Sequence, residues 1–196
     1  MTKLILLIGL PGSGKSYLVK QIISQFPEIH LVSTDNIRAK LFGDETIQGP
    51  WLQIWAEIEH EFQQAVTQQK TLFYDATNAA RKQRREIIQL AKDTGITHIT
   101  GLWLDTPLQL CLERNQKRQR NVPEEIILQM AVRLNDCPPS LEDGLDRIIR
   151  YTPDGLCTEI PYTPSATTEP EQPFLFDTLK LYNCQKENNN RSQPDE

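Results

Sequence analysis

The sequence lacks the features expected of a membrane protein, a disulfide-stabilised protein or a protein that coats duplex DNA. No apolar run reaches the roughly 18 residues that a membrane-spanning helix needs. The four cysteines form no CxxC pair and no metal-ligand spacing with the three histidines, which is typical of a reduced, cytoplasmic protein. The formal net charge of -5 argues against non-specific binding to duplex nucleic acid, because such binding needs a basic surface.

Apolar residues are also scarce, and the shortage is concentrated at one end of the chain. They make up 38% of the 196 residues, a low share for a wholly packed chain. Residues 151–196 contain eight acids, three bases and six of the 13 prolines, whereas residues 1–150 have equal numbers of acids and bases. We therefore predict a folded domain over 1–152 and an acidic, proline-rich, largely irregular tail over 153–196. The apolar segment 173–182 either docks on the body or on a partner, or is simply loose tail.

Short apolar runs alternate with longer amphipathic ones in the body. The apolar runs predict buried strands over 3–10, 29–33, 71–75, 96–104 and 146–151. Helical periodicity, N-caps and prolines predict helices over 15–26, 36–42, 51–69, 81–94, 107–116 and 123–134. This order predicts a three-layer α/β fold, in which helices cover both faces of a five-stranded parallel sheet.

The junction between the first predicted strand and helix carries the strongest motif. Residues 9–16 read GLPGSGKS, which matches the G-x-x-x-x-G-K-[ST] pattern of the phosphate-binding P-loop. The glycines allow backbone N–H groups to point inward at an anion, and the helix that follows adds its positive N-terminal end. Lys15 can reach the β- and γ-phosphates of ATP, and the Ser16 hydroxyl can bind Mg²⁺. A chance glycine-rich turn is the weaker interpretation, because the required strand–loop–helix context is present.

Candidate catalytic groups follow the second and third predicted strands, at the sheet edge where ligands bind. Asp35 and Arg38 are three residues apart and share a face if a helix begins there. Asp35 can accept a proton from an attacking hydroxyl and Arg38 can hold an anionic group, although Asp35 as an N-cap and Arg38 as a surface charge is an alternative. Asp75 ends its strand in the Walker B manner and is expected to orient Mg²⁺. Asn78 is predicted to be a turn residue.

Two clusters of basic residues complete the pattern. The first basic cluster comprises Arg81, Lys82, Arg84 and Arg85, and the second comprises Arg114, Lys117, Arg118 and Arg120. The second lies between two predicted helices, where a mobile segment can close over ATP and neutralise charge on the transferring phosphoryl group. The first either binds phosphates of an anionic acceptor or, for most of its members, forms a solvated helix face.

Three further residues are interpreted as structural. Trp51 and Trp55 are predicted to be core or pocket wall rather than a platform on which bases stack, and His98 is predicted to be a strand residue without a catalytic partner.

These motifs together resemble the P-loop kinases related to phage polynucleotide 5′-kinase and to zeta toxins. The resemblance covers about residues 1–152 and rests on LIGLPGSGKS, STDNIR, YDATN and CLERN-QKRQRNVP. It implies a P-loop NTPase fold with strand order 2-3-1-4-5. It also implies that Lys15 and Ser16 hold ATP and Mg²⁺, that Asp35 is the general base and that Arg38 contacts the acceptor. The arginine that stabilises the transferred phosphate falls on Arg118, with Arg114 and Arg120 as alternatives.

The resemblance implies a nucleotide site and a reaction. The residues expected to bind the nucleotide are Gly9, Pro11, Gly12, Ser13, Gly14, Lys15, Ser16, Tyr17 and Arg114, and those expected to bind the metal are Ser16 and Asp75. Tyr17 stands where the family commonly has a small hydroxyl residue. The expected reaction is transfer of the γ-phosphoryl group of ATP to a hydroxyl, most readily a polynucleotide 5′-hydroxyl. A kinase for a sugar, nucleoside or nucleotide-sugar is one alternative, and a nucleotide-dependent switch or assembly factor is the other.

Overall fold

A computed structural model describes residues 2–118 and 120–160. The strands are β1 (Lys3–Ile8), β2 (His30–Ser33), β3 (Leu72–Asp75), β4 (His98–Leu104), β5 (Arg147–Tyr151) and β6 (Cys157–Ile160). The α-helices are α1 (Lys15–Gln25), α2 (Thr34–Phe42), α3 (Trp51–Thr67), α4 (Arg81–Asp93), α5 (Leu108–Gln116) and α6 (Glu124–Asp136). A short 3₁₀ helix, Leu141–Asp143, precedes β5. Among the described helices, none combines the length and the apolar character that crossing a membrane requires.

The strands form one sheet in the order β2-β3-β1-β4-β5-β6. The first five are parallel, so the predicted order 2-3-1-4-5 is confirmed. The sheet has six strands rather than the expected five, because β6 pairs antiparallel with β5 after a short turn. β6 lies beyond residue 152, within the segment expected to be irregular. The domain division at 152 stays a prediction, and segment 173–182 lies outside the described residues.

The sheet is buried on both faces, as the apolar strands predict. In β1, Leu4, Leu6 and Ile8 pack into the core on one face with α3 and α4, whereas Ile5 and Leu7 pack on the other face with α1. Successive side chains of a strand point to opposite faces, so a continuous apolar run requires a helical layer on each side. The three-layer α/β architecture is therefore confirmed, and it places the carboxyl ends of the parallel strands at one edge.

The start of α2 and the exposure of Trp51 in α3 differ from the predictions in ways that matter for the site. Ser33 is the N-cap of α2 and its Oγ accepts a hydrogen bond from the Asn36 backbone N–H, so Asp35 is not the cap and its carboxylate is free for other contacts. Trp51, predicted to be core or pocket wall, is 49% exposed at the first position of α3. Trp55, one turn later, packs partly buried against the core as predicted.

Candidate active site

Residues 9–14 connect β1 to α1 in a tight loop that its neighbours hold in place. The Gly9 N–H donates to the Thr77 carbonyl at 3.0 Å. Gly12 has a φ of +82°, and a Cβ atom there would lie 2.3 Å from the Cys111 carbonyl oxygen. A side chain at Gly12 would therefore clash with the α5 backbone, which explains why this position of the loop requires glycine.

The Lys15 side chain is buried and turns back over this loop. Its Nζ donates to the Gly9 carbonyl at 2.7 Å, to the Leu10 carbonyl at 2.8 Å and to Ser13 Oγ at 3.4 Å. Burial lowers the Lys15 pKa to about 8, against the opposing effect of the Asp75 carboxylate. All three hydrogen-bond acceptors are neutral, so the ammonium charge is uncompensated by direct contact and suits an anionic phosphate.

Ser16 and Asp75 meet at the carboxyl end of β3. The Ser16 hydroxyl donates to Asp75 Oδ2 at 3.0 Å. Burial raises the Asp75 pKa, while Lys15 and the hydrogen bond from Ser16 act in the opposite direction. Mg²⁺ prefers oxygen ligands and is usually bound through one or two protein groups together with phosphate oxygens and water. The paired hydroxyl and carboxylate oxygens therefore fit Mg²⁺ next to the P-loop.

Asp35 lies in the first turn of α2 with one arginine on each carboxylate oxygen. Its Oδ1 accepts from Arg38 Nη1 at 2.9 Å, and its Oδ2 accepts from Arg120 Nη1 at 3.0 Å. Arg120 Nη1 also donates to Glu45 Oε1 at 2.8 Å, in the segment between α2 and α3. The Asp35 side chain is 46% exposed, so its carboxylate is oriented and still accessible to a second molecule.

Charge connects this carboxylate to the P-loop. Burial is the main cause of the shifted pKa of Lys15 and of Asp75, and the charges of Asp35 and Arg118 act on both groups. Such an effect requires proximity, because Coulomb interactions decay with distance and are screened by water. Ser33, two residues before Asp35, lies opposite Asp75 in the β2–β3 pair, and Asp75 accepts from Ser16 next to Lys15, so these groups meet at the carboxyl edge of the sheet within reach of the charge of Arg118.

The lid segment, residues 117–123, joins α5 to α6 above this site. Buried Asn115 closes its base with two hydrogen bonds to Val122: the side-chain Nδ2 donates to the carbonyl at 2.8 Å, and Oδ1 accepts from the N–H at 3.0 Å. Sequence reasoning missed Asn115, whose only signal is an asparagine in the last turn of a helix before a loop. These two hydrogen bonds hold the end of the segment at Val122 against the last turn of α5.

The three candidate lid arginines occupy different positions in the structure and make different contacts. Arg120 contacts Asp35 and Glu45 on the α2 side, whereas exposed Arg118 acts electrostatically on the Lys15 and Asp75 groups. Arg114, on α5, places Nη1 3.9 Å from the position of a Cβ atom on Gly14. Arg114 and Arg118 thus lie on the P-loop side of the site and Arg120 on the α2 side.

The remaining predicted nucleotide residues surround the start of α1. Gly14 is the N-cap of α1 with a φ of +103°, and Ser13 before it is buried. Pro11 is buried, and Tyr17 is 61% exposed in the first turn of α1. The loop and the first turn of α1 therefore present backbone N–H groups and the exposed Tyr17 ring around the predicted nucleotide position.

Two arginines of the first basic cluster, Arg81 and Arg84, make structural contacts. Arg84 is fully buried: its Nε donates to Asp143 Oδ2 at 2.6 Å, and its terminal nitrogens donate to backbone carbonyls that include Ala79 and Cys137. Arg81 Nε donates to Asp143 Oδ1 at 2.7 Å. The interpretation as a solvated face is wrong for Arg84, and these contacts leave no role in acceptor binding for it. Asn78 is a buried turn residue with a φ of +48°, as predicted.

Comparison with known proteins identifies the family of this chain. Residues 4–136 match the family model described as an AAA domain. The chain is 30% identical over 136 residues to the L-seryl-tRNA(Sec) kinase of Methanococcus maripaludis, covering 65% of this chain and 50% of that protein. It is 26% identical over 155 residues to a putative bifunctional polynucleotide phosphatase/kinase of Acanthamoeba polyphaga mimivirus, covering 76% and 33%. The chain thus spans half or less of these relatives.

A solved structure supports the fold independently. The chain superposes on a structure of the PezAT chromosomal toxin–antitoxin system of Streptococcus pneumoniae with a TM-score of 0.64 and 18% identity. The match covers 98% of this chain and 88% of the other. At this identity the likeness shows a shared fold.

Proposed function

The chain belongs to the AAA domain family, and from this premise we propose that it is an ATP- and Mg²⁺-dependent kinase whose acceptor is a polynucleotide 5′-hydroxyl. The family membership confirms the resemblance to P-loop kinases that the sequence motifs indicate. The observation that carries the proposal is Asp35: an accessible carboxylate, held by two arginines, beside a P-loop lysine and a serine–aspartate pair. A protein that only binds or hydrolyses nucleotide needs no such acid–guanidinium pair.

Each group has a distinct task in phosphoryl transfer. Asp35 accepts the proton of the attacking hydroxyl, while Arg38 and Arg120 fix the direction of its lone pairs. Lys15 and Arg118 place positive charge where negative charge spreads over the transferring group. Ser16 and Asp75 would hold Mg²⁺, which would neutralise negative charge on the phosphates.

The polynucleotide acceptor is supported by chemistry and by the relatives. Arg38 is largely buried, and among the described residues its Nε has no hydrogen-bond partner. An anionic group on the acceptor would satisfy this donor, since buried polar atoms are normally paired. Both curated relatives carry a nucleic acid in their names, L-seryl-tRNA(Sec) kinase and polynucleotide phosphatase/kinase. These observations favour a phosphate-bearing acceptor.

The equal numbers of acids and bases in residues 1–150 favour a second candidate, a kinase for a small metabolite such as a sugar, nucleoside or nucleotide-sugar. The two candidates differ in salt dependence. Affinity that rests on several phosphate contacts falls steeply as salt rises, whereas affinity for an uncharged metabolite is almost unaffected.

The test is incubation with γ-labelled ATP and a panel of 5′-hydroxyl oligonucleotides, nucleosides and sugars at two salt concentrations. We expect the label on the oligonucleotide 5′ end, with less transfer at higher salt.

Asp35→Asn should reduce transfer about 10²–10⁴-fold with ATP binding retained, and Lys15→Ala should abolish transfer. Label on a sugar or nucleoside alone would establish the second candidate, and release of labelled phosphate alone would indicate a nucleotide-dependent switch. Transfer at the parent rate by Asp35→Asn would remove the base assignment.

A further inference from the structure

An exposed apolar surface lies at the start of α3. We call it the apolar rim: Ile47 is 45% exposed, Trp51 49% and Leu52 81%. The Trp51 ring lies 6.0 Å from the partly buried Trp55 ring at a tilt of 46°, so its inner side is supported by the core and its outer side is open. A rigid, half-exposed indole beside two exposed aliphatic side chains suits a flat, apolar ligand.

The apolar rim is continuous with the proposed active site. The segment that carries Ile47 also carries Glu45, which accepts from Arg120 on the far side of Asp35. Gly49 packs against the Phe42 ring, so the segment returns to the end of α2 before α3 begins. From Asp35 to Phe42, α2 rises about 10 Å, at roughly 1.5 Å per residue. The apolar rim therefore begins near the end of α2, about 10 Å from the proposed general base, Asp35.

This distance separates the two kinds of acceptor. A single sugar with its hydroxyl at Asp35 does not extend to the rim, whereas an acceptor made of several linked units does. The charges near the apolar rim also determine which part of a polynucleotide acceptor would face the rim. Asp44 and Glu45 adjoin Ile47, and their carboxylates repel phosphates, whereas Arg38 and Arg120 attract them.

We propose that the apolar rim is a nucleobase subsite, in which Trp51 stacks against a base close to the 5′ end of the acceptor. The proposal rests on the proposed function and deepens it, because it explains how the site would distinguish a polynucleotide from a sugar. Base–aromatic stacking is tolerant of sequence, since every base has a π-face. The subsite would therefore select for the presence of a base and not for its identity.

The test compares pairs of 5′-hydroxyl oligonucleotides that differ only by removal of the base from the first or the second nucleotide. In the parent protein, kcat/KM should fall about tenfold when the base at one of these positions is removed. In Trp51→Ala, kcat/KM for the intact oligonucleotide should be about equal to kcat/KM for the abasic one. In Trp51→Phe, most of the parent's difference between the two should remain. The matched control is Leu156→Ala, because Leu156 is 59% exposed in the β5–β6 turn at the opposite edge of the sheet. Thermal melting checks that every variant is folded.

The outcomes separate this proposal from the proposed function. An intact-to-abasic ratio that Trp51→Ala leaves unchanged would overturn the subsite while oligonucleotide phosphorylation stands. An unchanged ratio with faster proteolysis within 173–182 in Trp51→Ala would instead assign the rim to the chain's own apolar segment. Transfer to nucleosides or sugars with none to any oligonucleotide would remove the polynucleotide acceptor, and the subsite with it.

Discussion

The two basic clusters look alike in the sequence and serve different ends in the structure. In the first, Arg84 is fully buried, and carboxylate and carbonyl oxygens of its own chain surround its guanidinium. In the second, Arg118 is exposed on the lid, and over the described residues 2–118 and 120–160 it has no acidic partner. An arginine whose partners belong to the fold stabilises the fold, whereas one without them remains available to a ligand.

The position of each cluster explains this difference. α4 packs against the 3₁₀ helix that precedes β5, so the first cluster faces a buried carboxylate, Asp143. The lid projects beyond the carboxyl edge of the sheet, where the strands end and ligands of α/β proteins bind. Charge type alone therefore does not distinguish a structural arginine from a functional one; the surroundings do.

The largest expected effect tests the structural side of the comparison. Arg84→Leu leaves the Asp143 carboxylate buried, and among the described residues Arg81 is then its one charged partner. We expect the free energy of unfolding to fall by about 3–5 kcal/mol, the usual cost of breaking a buried ion pair. Urea denaturation measures this loss. Arg85→Ala is the control: this arginine is exposed and, within the part of the chain that the structure describes, its side chain donates to the Glu142 carbonyl alone, so a change within about 0.5 kcal/mol is expected.

A double variant sharpens the same test. Replacing both partners, Arg84→Met with Asp143→Leu, should recover part of the lost stability, because it removes the unpaired buried carboxylate while the Ala79 and Cys137 carbonyls still lack the Arg84 donor. If Arg84→Leu unfolds at the same urea concentration as the parent, the buried contact is not what stabilises this part of the fold.

The second effect tests the functional side. Under the proposed function, Arg118→Ala should reduce phosphoryl transfer about 10²–10³-fold, since it removes the positive charge proposed to stabilise the transferring group. Its exposure means that stability should change by less than about 0.5 kcal/mol. Lys117→Ala, the exposed neighbour, is the control for a general change in lid charge. Arg114→Ala and Arg120→Ala, measured alongside, establish the assignment: a greater loss in either than in Arg118→Ala would transfer the role to that residue.

Local signals could be predicted from the sequence, and contacts between distant residues could not. The P-loop spans eight contiguous residues with a fixed pattern, so its position between β1 and α1 was predictable. The Arg84–Asp143 pair joins residues 59 apart and the Arg120–Asp35 pair residues 85 apart, and nothing in the sequence relates these partners. The strand order was available only through the resemblance to P-loop kinases.

The remaining differences have local causes. β6 is short and reads CTEI, within a region rich in acids and proline, so its composition conceals a strand that pairing with β5 stabilises. Trp51 continues the apolar periodicity of α3, but the buried stripe begins at Ile54 because the first turn extends past the core. Periodicity identifies the face of a helix and does not identify where along that face the core ends.

The smallest expected effect concerns Lys15, which is buried as Arg84 is but has only neutral acceptors. Its lowered pKa of about 8 in the protein without nucleotide means that the ammonium is charged below pH 8 and loses its proton above. Phosphates favour the charged form, so ATP binding above pH 8 must take up a proton. The Kd for ATP should therefore be flat from pH 7 to 8 and then rise by up to about tenfold per pH unit. Calorimetry with Mg²⁺ between pH 7 and 9.5 measures both the Kd and the proton uptake. Lys15→Arg keeps its charge throughout this range and should show neither the rise in Kd nor the proton uptake. If the parent Kd for ATP stays flat to pH 9.5, burial does not lower the Lys15 pKa.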